Sequence, residues 1–193
     1  MTTILLARHG ETDWNREGRF QGWADPPLNS TGRAQSVDLS VALMAEELAA
    51  VYSSPLGRAL ETAEALAASR GLEPVTVDAL REVDVGSWSG LTRSEIETRF
   101  PEQYARWLDY GQGWEDGETY EEMAERVITA LLQLAAAHDG ERILAVTHGG
   151  PIRAVSAFAD QVSYAEARRR APVVGNTAVL EFAVEAGALR RLD

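Results

Sequence analysis

Short apolar segments alternate with longer amphipathic segments along most of the chain. The runs at residues 3–7, 49–53 and 143–147 end at polar residues and are typical of buried strands. Helical patterns occupy residues 29–47, 56–69 and 119–137, and the last opens with a capping box between Thr119 and Glu122. Strands that alternate with helices in this way predict an α/β fold with a mainly parallel sheet.

The remaining segments complete the predicted architecture. Residues 74–77 predict a short strand, and residues 177–184 and 188–192 predict a closing pair of strands at an antiparallel edge. Residues 8–28 predict a long polar loop, and residues 92–110 predict one or two helices broken near Pro101. We therefore expect a three-layer α/β/α sandwich. Residues 1–193 would form a single domain, with a small cover segment at about residues 83–118.

Polar side chains stand where the predicted strands end. Arg8 and His9 follow the first strand, Arg58 lies a few residues after the second, and His148 ends the strand at residues 143–147. Ligands of open α/β sheets bind at the carboxyl ends of the strands. We expect these four side chains to meet in one pocket.

Composition and charge exclude several classes of protein. The 193 residues contain no cysteine, which excludes disulfides, a thiolate nucleophile and cysteine-based metal sites. We expect a cytoplasmic protein without a membrane partner, because the sequence offers neither a signal peptide nor a long apolar span. The net charge of −12 argues against a nucleic-acid partner. It also means that any phosphate site must be a local cationic pocket.

Five ordered blocks carry a family resemblance. They are residues 6–12 (LARHGET), 27–32 (PLNSTG), 53–59 (SSPLGRA), 80–82 (LRE) and 146–150 (VTHGG). A lone Arg-His-Gly would be a weak signal, but ordered blocks at strand ends are specific. The chain resembles the histidine phosphatase superfamily, also called the phosphoglycerate mutase-like family, over most of its length.

The resemblance implies that His9 attacks phosphorus and forms a phosphohistidine. A neutral imidazole, with an ordinary pKa of about 6.5, is a suitable nucleophile, and a covalent intermediate divides one hard displacement into two easier ones. The other ring nitrogen would be held by a backbone carbonyl. Arg8 and Arg58 would supply forked donors to the phosphoryl oxygens, and a protonated His148 would supply another.

Glu82 occupies the family's position for the group that protonates the leaving oxygen and later deprotonates water. Asp84 is the nearest rival for this role. The phosphate-binding set would be completed by Asn15, Gln21, Gly22 and Gly149. No cofactor and no metal is expected, since arginines supply the charge stabilisation. A metal site on His9 and His148 is disfavoured, because neighbouring arginines would repel a cation and no metal-binding histidine spacing occurs.

Within the family, the segment after Glu82 resembles the phosphatase branch rather than the mutases. Residues 83–90 read VDVGSWSG, and the cover segment is short enough to admit water. We therefore expect hydrolysis of a small-molecule phosphate ester. A cofactor-dependent phosphoglycerate mutase and a non-catalytic phospho-ligand module stay open as alternatives, as does a homodimer.

Two further features have competing interpretations. The run at residues 168–170 (RRR) is either a phosphate-binding patch or a solvated helix face, and we favour the solvated face. Trp14, Trp23 and Trp88 lie near the motifs and belong either to the wall of the leaving-group pocket or to the hydrophobic core.

Overall fold

A six-stranded sheet forms the centre of the computed structural model, which describes residues 1–192. Its spatial order is β3-β2-β4-β1-β5-β6, where the strands are β1 (Thr2–Arg8), β2 (Ala50–Ser53), β3 (Val75–Thr76), β4 (Arg142–Thr147), β5 (Val179–Glu185) and β6 (Ala188–Arg191). The first four strands in that order run parallel, and β5 and β6 add an antiparallel edge. The predicted fold class is confirmed.

Helices flank both faces of this sheet. They are α1 (Asp13–Glu17), α2 (Ser30–Ala42), α3 (Gly57–Ala68), α4 (Arg93–Arg99), α5 (Pro101–Leu108), α6 (Tyr120–Ala136), α7 (Gly149–Ala159) and α8 (Tyr164–Arg170). Helices α2 and α3 contribute to the core on one face, and α6 and α7 contribute to the core on the other. Among residues 1–192, no helix is both long and apolar enough to cross a bilayer.

Alternate residues of β1 belong to the two cores. Ile4 and Leu6 pack with α6 and α7, whereas Leu5 and Ala7 pack with α2 and α3. All four are at most 1% exposed, so this strand is covered on both sides. Successive side chains of a strand point to opposite faces, and each fully buried leucine contributes about 1.5–3 kcal/mol. The continuous apolar run at the N-terminus therefore fixes β1 in the middle of the sheet.

Two boundaries differ from the sequence-based predictions. The predicted polar loop at residues 8–28 contains α1, which begins at a Thr12–Asn15 capping box and ends at Gly18, a residue with φ of +69°. Helix α2 ends at Ala42 rather than at residue 47, and Leu43 and Leu48 pack against the core on either side of an exposed turn. The break at Pro101 is confirmed, since the proline opens α5 directly after α4.

Candidate active site

A cavity of about 1050 Å³ opens at the carboxyl ends of the parallel strands. Its inner wall is formed by residues that follow β1 and β4 and by the first turn of α3, including Arg8, His9, Arg58 and Gly149. Its outer wall includes side chains from the predicted cover segment at residues 83–118. This is the position at which ligands bind in open α/β sheets.

His9 is held in one tautomer by the backbone next to it. Its Nδ1 lies 2.6 Å from the carbonyl oxygen of Gly10, and the ring is 2% exposed. A carbonyl only accepts, so Nδ1 carries the proton and Nε2 keeps its lone pair. Gly10 has no room for a side chain, because a Cβ there would lie 2.4 Å from the carbonyl oxygen of Gly32. The close contact between Gly10 and Gly32 therefore holds the loop that carries His9 against the first turn of α2.

Arg58 is a fully buried cation at the start of α3. Its Nη1 donates to the carbonyl of Ala24 at 2.7 Å, and its Nη2 donates to the carbonyl of Gly22 at 2.9 Å. Burial lowers the pKa of Arg58 to about 10, so the guanidinium stays charged at neutral pH. Asp25 lies 3.8 Å from Nη1 at the exposed side.

His148 lies behind the cavity wall and is fully buried. Its ring centroid is 5.1 Å from that of His9, and its Nε2 is 2.8 Å from the hydroxyl of Ser54. The Ser54 oxygen also accepts the backbone N–H of Leu56 at 3.3 Å, which leaves its own proton available for Nε2. In that arrangement a neutral His148 carries its proton on Nδ1.

Three buried nitrogen atoms around His9 have no hydrogen-bond partner among residues 1–192: Nε of Arg8, Nε of Arg58 and Nδ1 of His148. An unsatisfied buried donor costs about 1–3 kcal/mol. Such donors beside one imidazole are what a tetrahedral oxyanion would satisfy.

Both site histidines are neutral at neutral pH. Burial lowers the pKa of His9 well below its ordinary value of 6.5, and the positive charges of Arg58 and Arg8 lower it further. Burial and Arg58 act in the same way on the pKa of His148. Burial therefore favours a neutral His148 in the protein by itself, and the protonated His148 expected at the phosphoryl site stays a prediction for the phosphate-bound protein, where the dianion would raise the pKa.

Glu82 faces the start of α7. One carboxylate oxygen accepts the N–H of Val83 at 2.9 Å, and the other accepts the N–H of Gly150 at 3.3 Å. A Cβ at Gly150 would lie 2.2 Å from the carboxylate, so any larger residue there would displace the Glu82 side chain from this position. The Glu82 carbonyl accepts from Trp23 at 2.7 Å and from Arg126 at 2.9 Å. These contacts fix both the backbone and the carboxylate of this residue.

Asp84 is turned away from the cavity. Its carboxylate accepts the N–H of Gly86 at 3.0 Å, and the residue is not part of the cavity wall, whereas Glu82 is. Within residues 1–192, no group of three or more His, Cys, Asp or Glu side chains is arranged to hold a metal ion.

The predicted neutral donors also line the cavity. Thr12 fixes the amide oxygens of both Asn15 and Gln21 by contacts of 3.1 Å, which leaves the amide NH₂ groups as the ends available to a ligand. Gly22 and Gly149 are lining residues as well. A Cβ at Gly149 would lie 2.3 Å from a methyl group of Val173, so the close packing at this helix start requires glycine.

The three tryptophans singled out in the sequence do not form the pocket wall. Trp88 is fully buried in the core, Trp23 is 43% exposed, and Trp14 packs near Gly90. Trp107 and Trp114, which the sequence analysis did not single out, line the cavity instead.

The arginine run in α8 is not uniformly solvated, which corrects the sequence-based interpretation. Arg169 and Arg170 are exposed, but Arg168 is half-buried. Its guanidinium carbon lies 4.9 Å from the ring centre of Trp107 and 5.4 Å from that of Tyr120. The spacing of Tyr164 and Arg168, one helical turn apart, could have indicated that this arginine faces inward.

Comparison with known families and proteins agrees with this site. A model of the histidine phosphatase superfamily (branch 1) matches residues 4–192. Phosphoserine phosphatase 1 of Hydrogenobacter thermophilus is 34% identical over 157 residues, which are 80% of this chain and 74% of that protein. The metal-independent phosphoserine phosphatase of Arabidopsis thaliana is 41% identical over 170 residues, with 86% and 71% covered. Phosphoglycerate mutase-like protein 4 of the same plant is 41% identical over 160 residues, with 79% and 68% covered.

Solved structures show the same fold. Bacillus stearothermophilus YhfR superposes with a TM-score of 0.92 at 34% identity, covering 99% of this chain and 95% of that one. A mutant phosphoserine phosphatase of Entamoeba histolytica in complex with phosphoserine superposes with a TM-score of 0.87 at 26% identity, covering 100% and 96%. The resemblance that the five sequence blocks carried is confirmed.

Proposed function

Because this chain belongs to the histidine phosphatase superfamily and is a phosphatase of small phosphorylated metabolites, we propose that it works through a phosphohistidine on His9. The observation that carries this proposal is the group of three buried nitrogens around that imidazole, Nε of Arg8, Nε of Arg58 and Nδ1 of His148, which have no hydrogen-bond partner in the described part of the chain. They provide preorganised charge stabilisation where phosphoryl transfer needs it.

The first half of the proposed reaction transfers the phosphoryl group to the enzyme. Nε2 of His9 forms a bond to phosphorus while the bond from phosphorus to the leaving oxygen breaks. Nδ1 keeps its proton against the carbonyl of Gly10. A protonated Glu82 gives its proton to the leaving oxygen, so the product departs as an alcohol.

The second half restores the enzyme. The Glu82 carboxylate accepts a proton from water, and the water oxygen attacks phosphorus as the bond to Nε2 of His9 breaks. Inorganic phosphate is released, the imidazole is neutral again, and Glu82 is protonated for the next cycle. The depressed pKa of His9 supports this scheme, because the nucleophile is neutral at the start of each cycle.

The substrates we propose are small phosphomonoesters, with phosphoserine as the first candidate. Two relatives are named phosphoserine phosphatases, and one structural neighbour was solved with phosphoserine. The cavity has room for a leaving group beside the phosphoryl site. We also propose that the reaction needs no metal ion, that the protein is cytoplasmic and that it forms a homodimer; cell fractionation and light scattering test the last two.

A phosphate-release assay separates hydrolysis from mutase activity. We expect the purified protein to release phosphate from p-nitrophenyl phosphate and phosphoserine without bisphosphoglycerate and in the presence of EDTA. An Asp84→Asn variant should keep this activity, because the Asp84 carboxylate faces away from the cavity. Interconversion of 2- and 3-phosphoglycerate that depends on bisphosphoglycerate, without phosphate release, would support a mutase. Binding without turnover of any ester would support a non-catalytic module.

A further inference from the structure

The cavity extends well beyond the space that a phosphoryl group fills. Next to the inner wall it includes Tyr120 and Tyr164, whose rings stack with centroids 4.2 Å apart. Two arginines line the same part of the cavity as these tyrosines. They are Arg153, on the second turn of α7, and Arg168, on α8. We call this outer part, defined by these four residues, the distal pocket. It is the place that a leaving group would occupy.

The distal pocket holds arginines that lack acidic partners. The chain has 30 acidic residues against 18 basic ones, and many of its arginines form ion pairs. Within residues 1–192, neither Arg153 nor Arg168 forms an ion pair with a carboxylate. In a chain this acidic, a cation that lines a cavity without a carboxylate partner is suited to an external anion.

Arg153 is the better placed of the two arginines. The guanidinium of Arg168 already makes two hydrogen bonds within the protein, because it donates to the carbonyls of Trp107 and Gly111 at 3.1 and 3.2 Å. Arg153 donates to the carbonyl of Ala171 at 3.3 Å and contacts Tyr164. An arginine has five N–H donors in a planar fork, so these two contacts leave several donors of Arg153 for a ligand.

The helix sets the spacing between Arg153 and the phosphoryl site. Gly149 begins α7 against Arg8, and Arg153 follows four residues later on the same face of the helix. At 1.5 Å per residue, the two positions are about 6 Å apart along the axis. The positive charge of Arg153 also contributes to lowering the pKa of Arg8, which agrees with this proximity. The spacing suits a leaving group only a few atoms long.

From this arrangement we infer that Arg153 binds a carboxylate on the leaving group, and that it thereby makes the enzyme selective for phosphomonoesters of small hydroxy acids. The inference rests on the proposed function, whose phosphoryl site it extends. The guanidinium of Arg153 lies over the ring of Tyr164, 6.0 Å from its centre, and hydrogen-bonds to the Tyr164 hydroxyl, so Tyr164 restrains this cavity-lining arginine before the substrate arrives. A carboxylate accepts the fork with two parallel hydrogen bonds, which a hydroxyl cannot do.

Two matched substrate pairs test the selectivity. Phosphoserine differs from phosphoethanolamine only by its carboxylate, and 3-phosphoglycerate differs from glycerol 3-phosphate by a carboxylate in place of a hydroxymethyl group. We expect kcat/KM to be at least 10-fold higher for the carboxylate member of each pair. In Arg153→Met this ratio should fall to near 1, mainly through KM for the carboxylate member of each pair. Arg153→Lys should keep an intermediate ratio.

A control variant and a binding measurement complete the test. Arg190→Met removes the same charge from an exposed position on β6 and should leave the ratio unchanged. Calorimetric binding of phosphoserine and phosphoethanolamine to His9→Ala, with and without Arg153→Met, measures the selectivity without turnover. If the wild type hydrolyses no ester but the protein still binds phosphoserine more tightly than phosphoethanolamine, the proposed function is rejected and this inference stands. Turnover or binding with equal preference for both members of a pair, or selectivity that survives Arg153→Met, would overturn it.

Discussion

Glu82 is the residue whose proposed role depends most on geometry. Its two carboxylate oxygens accept N–H groups from Val83 and Gly150, so the carboxylate is oriented from two directions. From the sequence, Glu82 could be preferred to Asp84 only because it stands at the position of the proton donor in the family that the chain resembles. The structure adds that Glu82 lines the cavity and that Asp84 does not.

Changing Glu82 to Gln should slow esters with poor leaving groups far more than aryl esters. A serine alkoxide needs a proton as it leaves, whereas a nitrophenolate does not, and general acid catalysis contributes about 10²–10⁴-fold. We expect kcat/KM to fall by about 10²-fold or more for phosphoserine and by less than about 10-fold for p-nitrophenyl phosphate. Steady-state kinetics on both esters measures the difference, with Asp84→Asn as the control. If the hydrolysis of both esters slowed equally, Glu82 would not be the group that protonates the leaving oxygen.

At the residue scale, the sequence predicted positions better than ionisation states. His9, Arg8 and Arg58 follow strands or open a helix, and strand ends can be predicted from apolar patterns. The charge of His148 could not be predicted in this way. It depends on complete burial and on the nearby guanidinium of Arg58, and both come from segments far apart in the chain. The proposed role of Arg153 was missed although Gly149 lies only one helical turn before it, because the residues that complete the distal pocket come from α6 and α8.

At the element scale, the strands and the helices α2, α3 and α6 were predicted, whereas the short helix α1 was not. Strand β4 and helix α6 have strong periodicity and clear boundaries, including the capping box at Thr119. Helix α1 has only five residues, and its capping box uses Asn15 in place of the usual acid. The sequence pattern therefore predicted a polar loop in this segment. Short helices gain little from propensity and depend on tertiary contacts that a sequence pattern does not contain.

The contact between α8 and the cover segment gives a prediction for Arg168. Its guanidinium is close to the rings of Trp107, Tyr110 and Tyr120 and donates to two carbonyls of the cover segment. Partly buried cation–π contacts are each worth about 0.5–2 kcal/mol. We expect Arg168→Met to lower the free energy of unfolding by about 1–2 kcal/mol in urea denaturation.

Arg170 provides the matched control for that change. It is exposed and, among the residues that the structure describes, its one ion pair is with Glu166 on its own helix, an interaction worth about 0.3–0.5 kcal/mol. Arg170→Met should therefore change the free energy of unfolding by less than about 0.5 kcal/mol. Equal effects of the two substitutions would show that α8 does not hold the cover segment through Arg168.

At the scale of the whole molecule, an acidic chain encloses a cationic cavity. The net charge of −12 coexists with Arg8, Arg58, Arg153 and Arg168 at one opening. The sequence could predict that a phosphate site had to be local, and it could predict the sheet that gathers the strand ends. It could not predict the distal pocket, because α6, α7 and α8 meet there only after folding.

The buried neutral histidines make stability depend on pH. In the unfolded chain His9 and His148 titrate near their ordinary pKa of about 6.5, whereas burial lowers both pKa values in the fold. At pH values between the lowered pKa values and about 6.5, the unfolded state binds more protons than the folded state. The free energy of unfolding therefore falls as pH falls below about 6.5. Above that pH their contribution is complete and constant.

Urea denaturation at pH 7.5 and pH 5.5 measures this effect. Each histidine should cost about 1.4 kcal/mol per pH unit below 6.5 until its lowered pKa is reached. The variant His9→Asn/His148→Gln should therefore lose about 3 kcal/mol less than the wild type over this interval. Carboxylate titration is common to both proteins and cancels. An identical pH dependence would contradict the depressed pKa values of the two imidazoles.

Rapid-quench trapping of the covalent enzyme is the most direct test of the central claim. The wild type, mixed with a phosphate ester labelled at phosphorus and quenched within one turnover, should carry label that survives base and is lost in acid. His9→Asn should carry none, whereas Asp84→Asn should label as the wild type does. Turnover by the wild type without any trapped label, or label that persists in His9→Asn, would contradict a phosphohistidine on His9.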